Sequence, residues 1–496
     1  MPKSPGGALL HGFSIERDSP VPIYRQLDAS LRRLILDDTL APGQKLPSTR
    51  ELSQELGVSR ITVKSVYEQL VAEGYALART GAGTFVSEGL DFEASPKFKL
   101  PRRKSRPPNI EISERAKTIM SSKASMRHGE IAAFRPGVPA LDLFPIKSWN
   151  KYLLDAATCA DRRNLSYGEV NGSAALRASV ARHLTDARSM QVDPAQIVIT
   201  SGAQQAFVLI AFVLLNKGDT VWYENPGHIA GRDVLQIMGS NVVPVPIDDE
   251  GMDLNFAIEK HHKPTLIFTT PSHQQPLGTT MSLARRLALL NYAQEIGAWI
   301  IEDDYDSEFR YRGRPLPALS ALDSERRVFY VGTFSKSMFA AIRLGYIVVP
   351  PGLGEAFAQA RNLLGQSSSA VVEQAMSRFM DDGRFVEHIR KMRRVYRERR
   401  DILYECLTKD CADILEPHPT DAGMHMLAWL KNGLDDQVAH LALLSAGIET
   451  LPLSAYCIEP LGRSGIVLGF SGTHERRIPK LVKRMSEALR SPAPIK

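Results

Sequence analysis

Cysteine is scarce in this chain of 496 residues: Cys159, Cys406, Cys411 and Cys457 stand far apart, and none belongs to a CxxC pair. That spacing excludes a disulfide framework and a zinc site of paired thiolates. Long apolar runs are missing as well. No uninterrupted stretch reaches the roughly 18 to 20 residues a membrane helix needs, and mean hydropathy is slightly negative. The first ten residues carry one lysine and a very short apolar stretch, without the charged, apolar and small-residue order of a secretory signal. With 44% hydrophobic and 23% charged residues, the composition is globular rather than disordered or fibrous, and the length suits roughly three to four domains. The expectation is a cytoplasmic protein with reduced thiols and no membrane contact.

The charge is unevenly placed. The net charge is +6, and residues 1 to 130 hold 20 Lys and Arg against 15 Asp and Glu, so an anionic partner is sought in the first quarter. There, Ile23, Leu27, Leu31, Leu34 and Ile35 recur at helical spacing from Ile23 to Leu36. Ala41-Pro42-Gly43 ends that segment. Ser48 with Glu51 three residues later forms a capping box for a second helix reaching about Leu56. Gly57-Val58-Ser59 makes a turn into a third helix from Arg60 to Glu73, with Val63, Val66, Tyr67 and Leu70 facing inward. Two helices joined by a glycine-containing turn are helix-turn-helix geometry. Tyr75 to Ala78 and Gly83 to Val86, around Arg79-Thr80-Gly81-Ala82, read as a hairpin wing.

Such a module suits double-stranded DNA. Ser59, Arg60 and Lys64 at the start of the third helix are placed for base edges and phosphates in a major groove, with Arg50 and the wing's Thr80 and Gly81 beside them. The plain alternative is a three-helix module for protein contacts. The segments LPSTRELSQELGVSRITVKSVYEQLVAEGY and RTGAGTFV resemble the winged helix-turn-helix of the GntR regulator family. The organisation expected is a winged helix-turn-helix over residues 16–88, a basic proline-containing linker over 89–128, and a large domain over 129–496. From Asp91 to about Met126 periodicity fades among lysines, arginines and prolines, which predicts an extended, solvated spacer.

Past residue 130, short β-branched runs alternate with helices: Ile197 to Thr200, Thr220 to Tyr223, Asn241 to Pro246, Leu266 to Thr270, Trp299 to Glu302, Val328 to Gly332 and Leu344 to Val349. That alternation predicts an α/β domain with a mostly parallel sheet, whose ligands sit at the carboxyl ends of the strands. The residues there are polar. Trp299 to Glu302 ends in Asp303-Asp304-Tyr305, Val328 to Gly332 runs into Thr333-Phe334-Ser335-Lys336 with Arg343 following, and Ile197 to Thr200 leads to Ser201-Gly202-Ala203-Gln204 at a helix start. A lysine, a carboxylate and an amide cradle for phosphate are the parts pyridoxal phosphate requires: an amine for a Schiff base, an acid for the pyridine nitrogen and fixed donors for the phosphate. Singly, a strand-end lysine is a surface residue and paired aspartates are caps or metal ligands; their joint order on one architecture is specific.

Residues from about 130 to 490 resemble a fold-type I, class I aminotransferase domain, on the segments GAQQA, ENPGH, TPSHQQPLGTTMS, EDDYDSEFR and GTFSKSMFAAIRLGY. The resemblance implies that Lys336 forms the Schiff base, Asp303 pairs with the pyridine nitrogen and Tyr305 hydrogen-bonds the ring hydroxyl. It assigns Thr333, Ser335, Arg343 and the amides of Ala203 and Gln204 to the phosphate, with Tyr167 reaching it from the other subunit of a head-to-tail homodimer. His228 stands where the family has a ring-stacking aromatic residue, Gln275 where it has an asparagine facing the ring hydroxyl, and Val467 where it has the arginine that holds a substrate α-carboxylate. Arg463 and His425 are candidates to replace that arginine. The whole chain is similar to the MocR, or GabR, type of transcriptional regulator. This implies a sensor of a small amine, an amino acid or a vitamer of the cofactor, with weak or absent turnover and no metal. The alternatives are an aminotransferase carrying a DNA-binding module, and a DNA-binding scaffold whose large domain only dimerises.

Overall fold

The structure is a computed structural model that describes residues 15–88, 111–122, 132–159, 166, 168–313, 316–365 and 368–490. The chain divides into a unit ending at Glu111 and a unit from Ile112 onward.

In the first unit, leucines spaced by one helical turn bury one face of α1, Ile23–Leu36, through Leu27, Leu31 and Leu34. Helix α2, Thr49–Leu56, starts at the expected capping box: Ser48 Oγ accepts from the Glu51 amide at 3.2 Å, and the Ser48 amide donates to the Glu51 carboxylate at 2.9 Å. Gly57 closes α2 in the left-handed region, φ 63°, a conformation that costs glycine least. Ser59 then caps α3, Arg60–Ala72, which buries Val63, Val66, Tyr67 and Leu70 against α1. Strands β1, Ala76–Arg79, and β2, Gly83–Val86, pair antiparallel with Ala76 opposite Val86, forming the wing.

The segment expected to be wholly extended contains α4, Glu114–Ser121, capped by the Ser113 hydroxyl on the Ala116 amide. A local cap nucleates this helix, and Ser122 Oγ, donating to Asp233 at 2.6 Å, fixes its end on the second unit. The basic proline-rich stretch before it lies outside the described residues.

The second unit holds an eight-stranded sheet and a four-stranded one. In the larger sheet the order is β3, Ile197–Thr200; β10, Gly345–Val348; β9, Val328–Thr333; β8, Trp299–Asp304; β7, Leu266–Thr269; β4, Thr220–Asn225; β5, Asn241–Asp248; and β6, Gly251–Met252. Strands β9, β8, β7, β4 and β5 run parallel. Strand β10 runs antiparallel between β3 and β9, with Gly345 opposite both Thr200 and Thr333. A side chain on Gly345 would meet the Gly202 backbone at 2.9 Å, so glycine there lets two strand ends and a helix start converge. Apolar clusters cover both faces of the sheet, which is why its strands read as continuous β-branched runs. The smaller sheet, antiparallel throughout, has the order β11, Leu415–Pro417; β12, His425–Leu430; β14, Gly465–Gly469; and β13, Leu451–Pro452. Among the described residues no helix is long and apolar enough to cross a membrane.

Substituting Ser48→Ala removes one of the two reciprocal bonds of the α2 cap, at a cost of about 1 kcal/mol. Hydrogen exchange of the amides in α2 is expected to speed up several-fold relative to those of α1. Equal protection in wild type and variant would show that the cap contributes nothing.

Candidate functional site

The first unit presents a polar edge built by α2, α3 and the wing. Arg50, Ser59, Arg60, Lys64, Thr80 and Gly81 are all exposed. The Arg60 Nε donates to Thr49 Oγ1 at 3.3 Å, linking the two helix starts, and Lys64 stands 3.6 Å from Glu68 one turn on. Sequence reasoning missed two features of this edge. Ile61, between Arg60 and Lys64, is 79% exposed, an apolar group on an otherwise charged helix start. Lys45 and Arg79 stack over the Phe85 ring at 5.9 and 4.9 Å, giving the wing a cationic rim.

In the second unit, the sheet brings its polar strand ends to one edge. Register puts Thr269 opposite Glu302 and Asp304 opposite Gly332, so the residues after β7, β8 and β9 emerge side by side. Alternation along β8 sends neighbouring carboxylates to opposite faces. Asp304 turns to Arg188 at 2.8 Å and to the Tyr330 hydroxyl. Asp303 turns to the other face, towards His228. The loop after β7 is pinned by Glu224, whose carboxylate accepts from Thr269 Oγ1 at 2.6 Å, the Thr270 amide at 2.9 Å and Gln274 Nε2 at 3.1 Å. Burial raises the Glu224 pKa and these hydrogen bonds oppose the rise.

A cavity of about 850 Å³ opens at this edge, and His228, Gln275, Tyr305 and Lys336 line it together. The Lys336 Nζ donates to the Gly137 carbonyl at 3.0 Å; burial lowers its basicity, against the attraction of Asp306 and Asp303. The Asp303 side chain is 1% exposed, with His228 Nδ1 at 3.3 Å and no hydrogen bond to either oxygen. Gln275 hydrogen-bonds Tyr456 across the cavity. Thr333 and Ser335 lie on one turn, the Ser335 amide donating to Thr333 Oγ1 at 3.2 Å, while Ala203 and Gln204 begin the helix Ala203–Leu214 after Gly202. These four stand at the sheet edge but not in the cavity wall, and the Arg343 side chain is exposed. Tyr167 lies outside the described residues.

Val467 packs on β14 among Ile229, Leu427, Leu453 and Tyr456, so the floor under the cavity is apolar. Arg463 does not stand in for an arginine there: it pairs with Glu416 and lies 4.7 Å over the Trp429 ring. His425 does line the cavity. The residues that sequence reasoning passed over are Arg135 and Glu449, which line the same cavity 3.5 Å apart, and His273 with Asp306. The His273 Nδ1 stands 3.1 Å from Asp306 Oδ2 and 3.1 Å from the Tyr305 hydroxyl, and Nε2 is 3.3 Å from Thr420 Oγ1. His273, Asp306 and His425 present ligand atoms within 4.8 Å of one another. The hydrogen bonds just named, with His425 Nε2 on the Pro276 carbonyl at 3.2 Å, account for the cluster as a network that braces Tyr305.

Comparison with known proteins gives two matches along the chain. Residues 137–466 match the family described as aminotransferase class I and II, and residues 23–86 match the bacterial regulatory proteins of the gntR family. The chain is similar to the probable rhizopine catabolism regulatory protein MocR of Rhizobium meliloti, 36% identical and covering 96% of this chain and 95% of that protein. It is also similar to the pyridoxine biosynthesis transcriptional regulator PdxR of Corynebacterium glutamicum, 31% identical over 96% of this chain and 98% of that one. Among solved structures, Pyrococcus horikoshii kynurenine aminotransferase in complex with PMP superposes with a TM-score of 0.67 at 28% identity, over 79% of this chain and 98% of that one. The α-aminoadipate aminotransferase LysN of Thermus thermophilus, complexed with N-(5'-phosphopyridoxyl)-L-leucine, gives 0.68 at 26% identity, over 73% and 92%.

Burial, then the neighbouring His273, pull the His425 pKa down to about 3, below the ordinary histidine value of about 6.5. Below that value the unfolded chain takes up a proton that the folded chain refuses, so stability present at neutral pH is lost as pH falls towards 3. Wild type is therefore expected to lose on the order of 2 kcal/mol more than His425→Gln between pH 7 and 4.5. Urea unfolding at the two pH values measures this; equal losses would show that His425 titrates normally.

Proposed function

This chain belongs to the MocR type of GntR-family regulators, in which a winged helix precedes an aminotransferase class I and II domain, and on that premise we propose that it is a cytoplasmic regulator that reads a small primary amine through pyridoxal phosphate and adjusts its grip on an operator. The observation that carries the cofactor reading is Asp303. A carboxylate buried without a hydrogen bond costs several kcal/mol, and a protonated pyridine nitrogen is the partner that removes this cost. The residues around it fit the same group.

When bound, pyridoxal phosphate supplies an aldehyde carbon that condenses reversibly with primary amines. Lys336 brings an amine whose basicity burial has lowered, so more of it is neutral and nucleophilic near pH 7. Asp303 would hold the pyridine proton, and His228, whose Nδ1 lies 3.3 Å from it, would flank the ring. Burial keeps the Tyr305 phenol protonated far above its ordinary range, so it acts as a donor, and the Asp306 and His273 pair fixes its direction. Gln275 would serve the ring hydroxyl, and Thr333, Ser335 and the first amides of the helix Ala203–Leu214 would supply phosphate donors. Arg343 would add a further phosphate donor, and Tyr167 from the second subunit of a head-to-tail homodimer would complete the set.

On the DNA side, α3 enters the major groove of double-stranded DNA. Ser59, Arg60 and Lys64 contact base edges and phosphates, and Ile61 gives apolar contact of the kind a thymine methyl accepts. Arg50, Thr80 and Gly81, with Lys45 and Arg79 on the wing, hold the backbone. The apolar floor around Val467 lacks the bidentate clamp that efficient α-amino acid turnover uses, which favours sensing over catalysis.

Two measurements test this reading. Purified wild type given pyridoxal phosphate is expected to show a visible absorption band and, after borohydride, a fixed mass increment on the peptide containing Lys336; Lys336→Ala should show neither. No increment in wild type would end the cofactor reading, and steady transamination at ordinary enzyme rates, about 1 to 1000 per second, would make the protein an enzyme instead. On fragments from the neighbouring promoter, Lys64→Ala is expected to weaken binding and reduce the slope of log affinity against log salt by about one. Wild-type binding no tighter to these fragments than to random DNA would exclude sequence-specific regulation.

A further inference from the structure

A second cavity, of about 520 Å³, shares no lining residue with the one at Lys336. Its size falls in the range of roughly 300 to 1,000 Å³ usual for small-molecule sites. The second half of the helix Ala174–Arg188, the end of the helix Ala370–Asp381 and the start of the helix Arg384–Asp410 line it. The segment after β8 contributes as well: Ser307 and Glu308 line this cavity, whereas Tyr305 lines the first. One strand end therefore serves two cavities, and the functional reading above uses only one of them.

Two of the four arginines that line the second cavity are neutralised by carboxylates. Arg188, only 6% exposed, holds Asp304 at 2.8 Å and donates from Nη2 to Ser272 Oγ at 2.6 Å. Arg182 pairs with Asp381 at 2.5 Å, and the same carboxylate accepts from Ser179 Oγ at 2.7 Å. The other two have no such partner. Arg393 donates from Nε and Nη2 to the Glu308 carbonyl at 2.9 and 2.8 Å, an uncharged acceptor. Arg390 makes no hydrogen bond or ion pair among the described residues.

The remaining titratable groups do not offset these two charges. Burial, and then the charge of Asp304, pushes the Glu308 carboxyl up to about 8, so near pH 7 it is uncharged and presents an O–H. Burial pulls the His183 imidazole down to about 4, so it is uncharged too. Asp186 alone is left as an unpaired carboxylate among the described lining residues, against two unpaired guanidiniums. The balance is positive. Met380, Phe385, Val386 and Ile389 give the wall its apolar part, with the His183 ring edge-on to Phe385 at 5.2 Å.

We propose that this cavity is a binding site for a small organic acid, one carboxylate on an apolar body, separate from whatever the cavity at Lys336 holds. Guanidiniums offer donors only, and an ionised carboxylate offers acceptors only, so the two match in hydrogen bonding as well as in charge. The O–H of Glu308 adds a donor of the kind that makes short bonds to carboxylates. The apolar wall takes the body of the ligand out of water. A cationic ligand would meet Arg390 and Arg393 unscreened by any carboxylate of their own. The proposal goes beyond the cofactor reading and does not depend on it.

The test is a calorimetric titration of the full chain with 3-phenylpropionate and with its uncharged counterpart, 3-phenylpropanamide. Wild type is expected to bind the acid about ten-fold more tightly than the amide, the size of one charge-assisted hydrogen bond. Replacing both free cations, Arg390→Gln with Arg393→Gln, should bring the two affinities together by weakening the acid alone. Val386→Trp, at an exposed position that lines the cavity, should weaken both probes by taking up its space. Arg135→Gln, in the other cavity, should change neither. Wild type that fails to bind the acid, or binds both probes equally, overturns the proposal. So does loss of acid binding in Arg135→Gln with full binding in the double variant, which would put the probe beside Lys336. Should the double variant fail to fold, Val386→Trp set against Arg135→Gln decides in the same directions. None of these readings requires pyridoxal phosphate, so failure of the cofactor reading is a separate result.

Discussion

Asp303 sits at the carboxyl end of β8, near the middle of the large sheet, with both oxygens buried and without a hydrogen bond. A folded chain tolerates such a group only if other interactions hold the strand in place, and the surroundings supply them. Next to it, Asp304 is locked on the opposite face by Arg188 and Tyr330. Glu302, one residue earlier, accepts from the Leu319 and Ser320 amides, both at 2.8 Å. The carboxylates of Glu302 and Asp304 are therefore anchored by protein donors, whereas that of Asp303 has His228 Nδ1 beside it at 3.3 Å.

The same logic reaches the smaller sheet. Asn225, at the end of β4, accepts from the Ile458 amide at 2.7 Å and donates to the Glu459 carbonyl at 3.1 Å, while Arg232 donates to the Ala455 and Cys457 carbonyls. These bonds tie the segment that carries Tyr456 to the edge of the large sheet. The cavity that Lys336, Arg135 and Glu449 line thus draws its wall from both sheets of the unit and the segments beside them.

Local chemistry decided how much could be read from the chain alone. The helices of the first unit were legible because each carries its own start signal, Ser48 with Glu51 and then Ser59, followed by apolar residues at helical spacing. The strand ends around Asp303, Thr333 and Lys336 were legible because a parallel sheet puts its ligand edge at a known end of each run. Helix α4 has its own cap at Ser113 but buries none of its residues, so no apolar face marked it. The smaller sheet escaped notice because two of its strands have only two and three residues. Arg135 and Glu449 meet through backbone pairing between segments far apart in the chain, and neither carries a motif.

The position of a cation decides what its burial costs. Residue 467 lies on β14, opposite Leu451 in the register, and is fully buried. Valine there extends an apolar cluster with Leu427 and Tyr456, and an arginine placed among those residues would need a partner inside an apolar cluster. Arg135 avoids that cost, because Glu449 and solvent share its charge.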